Sequence, residues 1–493
     1  MKIQVDGNEL GVTVPAGSTV DQALRAGGVV LGNLDRSDPP AYTVLSQDAT
    51  IRVIRVREEF MVEQEEIPFE NQVIQNESLP VGQEFWLQLG ENGLREITFR
   101  RVYEDGIEVS SSPVRSVTIK EPVPQIKMVG VQKAFIPLDI PGRLVYLVDG
   151  NAWLMEESTS NRRQIVTSGD LDGRVFSLSP DGDWLLYTRS SSEGEAINRL
   201  WAAPLDQADG EPIDLGAANI VHFADWKPDA TLTVAYSTVE PRSAAPGWQA
   251  NNDLRLLTFS GSGFLRELPA LLETNSGGVY GWWGTDFSWA LDGSRLAYSQ
   301  PGEVGILDWQ SGEIRSLKEF PPLQTFGDWA WNPGIGWDPN GQFLFIVNHR
   351  SSGESQLFDL AAIPLARGEA VTLRQNVGMF AHPVMSPVEE LPTGEKSYQI
   401  AYLQAIYPDQ SITSRYRLEL MDRDGSNNRL LFPSEGMGGL EPQKVVWSPE
   451  KMPESGHYAI ALLYENNLWL VDSETGEARQ VTGDNLTTRI DWK

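Results

Sequence analysis

The chain of 493 residues holds four histidines and no cysteine, with 16 tryptophans and 13 tyrosines. The absence of cysteine removes disulfides, thiol nucleophiles and thiolate metal sites. His222, His349, His382 and His457 are scattered. Only His222 and His382 stand where convergence is open to them, set against ordinary core or loop roles for all four. No Gly-x-Ser-x-Gly elbow occurs, so a serine hydrolase has no support. Asp170-Leu171-Asp172-Gly173 and Asp422-Arg423-Asp424-Gly425-Ser426-Asn427 suggest calcium, but neither has the spacing or the later bidentate Glu of a calcium loop, and both read as turns. The sequence therefore assigns no catalytic residues, no metal site and no cofactor.

What remains is surface recognition. Long insertions at 241–252, 275–286, 321–334 and 407–414 carry Trp248, Tyr280, Trp282, Trp283, Trp329, Trp331 and Tyr407, with Asp286 and Asp328 beside them. Aromatic rings on one face suit stacking on sugar rings or capture of a peptide, and the two carboxylates suit hydroxyl groups. The other arrangement open to these rings is a lid in which they pack on one another.

A repeat positions these insertions. Phe176-Ser177-Leu178-Ser179-Pro180-Asp181-Gly182 recurs around Trp226, Trp289, Trp337, Met385, Trp447 and Trp492, at intervals of 48, 63, 48, 48, 62 and 45 residues. Each marker is followed by a turn and a strand such as Trp184-Leu185-Leu186-Tyr187-Thr188 or Arg295-Leu296-Ala297-Tyr298-Ser299, and two further strands fit the remaining length. Periods of about 40 to 50 residues with Trp and Asp-Gly punctuation are the signature of propeller blades. The last marker has no blade after it, whereas 143–167 reads as three strands lacking an inner partner. The expectation is that 486–493 supplies that partner and closes a ring of seven blades.

These blades resemble the TolB family of β-propellers, whose repeat reads Trp-Ser-Pro-Asp-Gly, an Ala-Tyr strand, then Asp-x-x-Thr-Gly. The resemblance covers roughly the last seven-tenths of the chain and concerns architecture. Ahead of it, residues 1–56 read as a small β-grasp unit, with a hairpin about Asp6-Gly7, a helix start at Ser18-Thr19-Val20-Asp21 and a stop at Gly27-Gly28. Val14 to Val20, Leu31 to Asp35 and Pro39 resemble the ubiquitin-like repeat of bacterial resuscitation-promoting factors. Residues 57–130 resemble the G-five domain that accompanies it, with Gly82, Gly90, Gly93, Gly106 and Gly130 at the family glycines. Glu-Asn-Gly and Glu-Asp-Gly are expected to place glycine where a hairpin needs positive φ. This resemblance implies an elongated extracytoplasmic module associated with cell walls. Zinc-dependent assembly, known in adhesin members, finds no histidine or cysteine in the first 221 residues. The acidic run Glu58, Glu59, Glu63, Glu65, Glu66 and Glu70 reads as a solvated face. Residues 131–142 read as a linker to the propeller at 143–493.

Composition sets the remaining limits. With 39 basic and 68 acidic residues the net charge is −29, opposed to nucleic acid or anionic lipid. No apolar run reaches membrane-span length and the first residues are no signal peptide, so the chain reads as an extracytoplasmic protein, in the envelope or secreted, whose export segment is not in this sequence. The fold expected is all-β: a β-grasp unit, an elongated β domain and a closed seven-bladed propeller. The function expected is non-catalytic binding of a cell-wall glycan or an envelope protein. A propeller-funnel enzyme of lyase or lactonase type and a structural assembly subunit are the alternatives.

Overall fold

The computed structural model describes residues 1–493 apart from 47, 81–83, 133–134, 192–195, 207–209, 230, 324, 326–328, 351–355, 367–368, 391–393 and 395, and the backbone alone of 75–80 and 131–132. The chain divides into two compact units, Met1–Gln75 with Gly82–Gly130 and Asn76–Val81 with Val131–Lys493. Expected Gly82 lies outside the described residues.

In the first unit, Asn8–Gly11, Lys2–Val5, Thr50–Ile54 and Arg36–Asp38 form a four-stranded sheet in that order, its two central strands parallel. Helix Val20–Ala26 starts where a capping box dictates. Thr19 Oγ1 accepts from the Gln22 N–H, and the Gln22 side chain accepts from the Thr19 N–H. Its inner face, Val20 and Leu24, joins Ile3, Val5, Ile51 and Val53 in one cluster.

Val56–Ile67, Gly93–Glu104 and Ile107–Lys120 then build a long antiparallel sheet. Most of its outer-strand side chains face water, so cross-strand pairs carry much of the specificity: Glu58 with Arg100, Glu63 with Arg101 and Glu65 with Arg95. That accounts for the acidic run as a sheet surface. Asp105 and Gly106, at φ of +48° and +84°, make the tight turn expected of Glu-Asp-Gly. Gly93 departs from expectation because no positive φ is needed there. A Cβ at Gly93 would stand 2.6 Å from the Lys120 carbonyl oxygen, so this glycine permits close approach of two chains. A third sheet of the unit orders Asn71–Pro80, Gln125–Gln132 and Glu84–Gln88. Arg55 joins the first two sheets, bridging Asp6 at 2.9 Å and Asp35 at 2.7 Å while its backbone N–H donates to Asp105.

The second unit contains seven sheets built from the repeats. The first is three-stranded: Asn151–Val166, Asp139–Val148 and the C-terminal Thr487–Trp492. The other six are four-stranded, entered by Leu171–Leu178, Ala224–Trp226, Asp286–Trp289, Ile335–Trp337, Val384–Met385 and Val446–Trp447. Successive side chains of a strand point to opposite faces, so a sheet covered on both faces needs apolar residues at every position. Leu144 and Tyr146 accordingly enter one cluster while Val145 and Leu147 enter the next. Seven such clusters each lie between two sheets, and one of them joins the seventh sheet to the first.

Tryptophan is the marker because its indole reaches the neighbouring sheet. Trp226 Nε1 donates to the Ser177 carbonyl at 3.1 Å, Trp337 Nε1 to Ser288 at 2.9 Å and Trp447 Nε1 to Val384 at 3.1 Å. Each acceptor is the residue just before the preceding marker. The stretch 131–142 is not simply a linker. Leu138 and Ile140 are buried in the cluster shared by the seventh and first sheets, and the first strand begins at Asp139.

Candidate functional site

The predicted aromatic residues divide into groups. Trp331 is a correction: it is 2% exposed, its Nε1 donates to the Met379 carbonyl, and it packs edge-on against Phe358, so it is core. Trp329 is half-buried and stacks on Phe380. Tyr407 is exposed in a separate loop, and Asp328 lies outside the described residues. Asp286 is half-buried and accepts from Asn332 Nδ2 at 3.2 Å. His222 packs edge-on against Trp248, which packs edge-on against Trp283.

In front of that stack the turn Gly281–Trp283 holds two rings outward, Tyr280 and Trp282, exposed like neighbouring Val279. The turn is fixed from beneath. Buried Asn252 donates to the Gly281 carbonyl at 2.8 Å and accepts from Thr285 Oγ1 at 2.8 Å. A Cβ at Gly281 would stand 1.9 Å from the Ser276 carbonyl oxygen, so glycine is obligatory. Tyr280 itself adopts φ of +62°, an uncommon conformation for an aromatic residue. The hairpin Val239–Pro241 with Trp248–Ala250 flanks the turn and supplies Trp248.

Sequence reading missed a second locus. A cavity of about 1630 Å³ is lined by the entering strand of every four-stranded sheet and by Thr487–Trp492. In each of the seven sheets the residue before the marker holds the same register to its neighbour strand, and all seven line this cavity: Asp491, Ser177, Asp225, Ser288, Gly336, Val384 and Val446. The first four sheets contribute polar residues and the last three contribute glycine and valine. Asp491 accepts backbone N–H groups from Leu178 at 2.7 Å and Trp492 at 2.9 Å. Among the described residues Asp225 accepts only from the Trp226 N–H, and its other oxygen has no hydrogen-bond donor. Burial pushes the Asp225 carboxyl up to about 6, against the pull of Lys493. His382, also in the lining, is pushed down to about 3 by burial, with Lys444 adding to the effect. It is therefore the one histidine of the expected pair that reaches this space. Repeats aligned on their markers would have exposed the pattern, because it sits one residue earlier each time.

The two Asp-rich turns engage protein donors: Asp422 accepts from Asn427 and Asp424 from Ser426. Asp170 is gripped by Arg189 at 2.9 Å, and Asp172 accepts from Thr188 and from Asn198.

The whole is an all-β chain of repeated antiparallel sheets preceded by a separate β module. Within it, residues 58–132 match the G5 domain. No curated protein matches the sequence. Among solved structures it is similar to a putative TolB from Agrobacterium tumefaciens, at 16% identity over 63% of this chain and 93% of that one, with a TM-score of 0.35. It is also similar to a periplasmic gluconolactonase of Pseudomonas aeruginosa, at 13% identity over 71% of this chain and 98% of that one, with a TM-score of 0.43. The G5 domain of an IgA1 protease is 24% identical over 16% of this chain and 94% of its own, with a TM-score of 0.13.

Proposed function

We propose that this is an extracytoplasmic binding protein of the cell envelope, in which a ubiquitin-like repeat and a G5 domain precede a closed seven-bladed propeller that recognises a glycan. The compartment rests on the G5 match at 58–132. The ring reading is supported by the seven clusters between sheets, including the one joining the last sheet to the first. The observation that carries the function is the pinned turn. Asn252, Thr285 and an obligatory Gly281 hold Tyr280 and Trp282 with 38% and 39% of their surface exposed, apolar area that a partner can cover. Sugar rings present flat C–H faces that suit such a pair.

The test is titration of Trp fluorescence with soluble cell-wall glycan fragments. Quenching is expected, with Trp282→Ala and Tyr280→Ala each weakening binding about five- to tenfold, since one stacked ring contributes on the order of 1 kcal/mol. Unchanged affinity in both variants would sink the reading. Because the net charge is −29, neutral or cationic glycans should bind better than acidic ones at low salt.

A further inference from the structure

The cavity enclosed by the seven entering strands has a chemistry of its own, distinct from the aromatic turn. Its polar arc runs through four consecutive sheets as Asp491, Ser177, Asp225 and Ser288, and the facing arc is Gly336, Val384 and Val446. Among the described residues Ser177 Oγ is buried with no hydrogen-bond partner, and one oxygen of Asp225 has none. Lys444 and Lys493 line the same space, and no hydrogen bond or ion pair engages either ammonium among the described residues. Both act on Asp225 through space, so the cations stand near the carboxylate arc without touching it.

We infer that this cavity is a binding site for a small neutral sugar. A ligand carrying a full negative charge would meet Asp225 and Asp491, and one carrying a full positive charge would meet Lys444, Lys493 and the partly desolvated Arg489. The charged side chains of the lining balance: Asp225, Glu441, Glu465 and Asp491 against Arg415, Lys444, Arg489 and Lys493. A hydroxyl is the group that satisfies both kinds of neighbour, because it donates to a carboxylate and accepts from an ammonium. The glycine and valine arc then faces the C–H surface of the ring. The volume of about 1630 Å³ exceeds the roughly 300–1,000 Å³ of common small-molecule sites, so a mono- or disaccharide enters with water around it. Asp225 is half-buried and its second oxygen borders the cavity, where a ligand hydroxyl can donate to it.

The experiment is calorimetric and saturation-transfer titration of the full chain with three probes of similar size: N-acetylglucosamine, glucuronate and glucosamine. N-acetylglucosamine is expected to bind. Asp225→Asn, which keeps size and removes the charge, should weaken it about tenfold or more. Ser288→Gln, which puts bulk into the chamber, should weaken it comparably. Trp282→Ala should leave it unchanged, so that failure here and failure at the aromatic turn are separate results. Thermal melts establish that each variant is folded. Tighter binding of glucuronate or glucosamine, binding of none of the three, or unaltered affinity in both cavity variants would overturn the inference.

Discussion

Asp225 sets a pH signature that one substitution can isolate. Its folded value of about 6 lies above the ordinary carboxylate range, so between about pH 4 and 6 the folded chain holds a proton that the unfolded chain has released. Stability from this group is therefore highest below that window and falls as pH rises through it. Asp225→Asn should raise the melting temperature at pH 7.5, by an amount corresponding to about 1 to 3 kcal/mol, and the gain should vanish near pH 4. His382 has the opposite sign. Its folded value of about 3 makes acid favour the unfolded chain, with stability lost as pH falls below about 6.5. His382→Asn, which tolerates the local φ of +43°, should flatten that limb of a denaturation-versus-pH curve. The indole latches give a comparison within one fold. Trp337→Phe forfeits a bond to the Ser288 carbonyl, whereas Trp289 Nε1 is buried without a partner. Chemical denaturation should show Trp337→Phe costing about 1 kcal/mol more than Trp289→Phe. Marker tryptophans were legible because they repeat. The cavity-lining residues before them were not, since Ser, Asp, Gly and Val share no residue type, only a register.

At the scale of elements, alternation and turn chemistry told most of the story where both faces of a sheet are covered. Leu144 to Val148 is apolar at every position because two clusters need it. The capping box at Thr19 and the turn at Asp105-Gly106 were likewise readable from local residues alone. Gly93 was misread because close approach of the Lys120 strand is a tertiary fact that leaves no local trace. Trp331 was misread for a related reason: an insertion rich in aromatics looks the same whether a ring turns to water or toward Phe358. Strand Thr487–Trp492 gives the clearest test at this scale. Deleting 487–493 strips the partner from Asp139–Val148 and opens the cluster containing Trp492. A fall in melting temperature of 10 °C or more, or loss of cooperative unfolding, is expected, far beyond the effect of trimming a tail. A melting temperature within a degree or two of the parent would refute the importance of that pairing.

At the scale of the whole molecule, the second unit should fold without the first. A fragment of residues 131–493 should melt cooperatively, close to the transition it shows in the intact chain. A fragment of 143–493 lacks Leu138 and Ile140, which are buried in a core cluster, and should be less stable by several kcal/mol in urea denaturation. Equal stability of the two fragments would restore 131–142 to a mere linker. The union of 143–148 with 487–492 was legible because the repeat there lacked an inner strand, although the segment read as three strands is two, Asp139–Val148 and Asn151–Val166, so the sheet has three strands and not four. Pro137 and Pro141, which read as linker residues, hid the extra buried residues. That union also has a consequence in time. Trp492 donates to the carbonyl of Pro141, 351 positions earlier. At roughly 5–20 residues per second of synthesis, the strand that contains Pro141 waits about 20 to 70 seconds for its neighbour to be made. Through that interval its edge stays open to any passing chain, so a cell producing this protein has to shield a nascent strand until Thr487–Trp492 has been made.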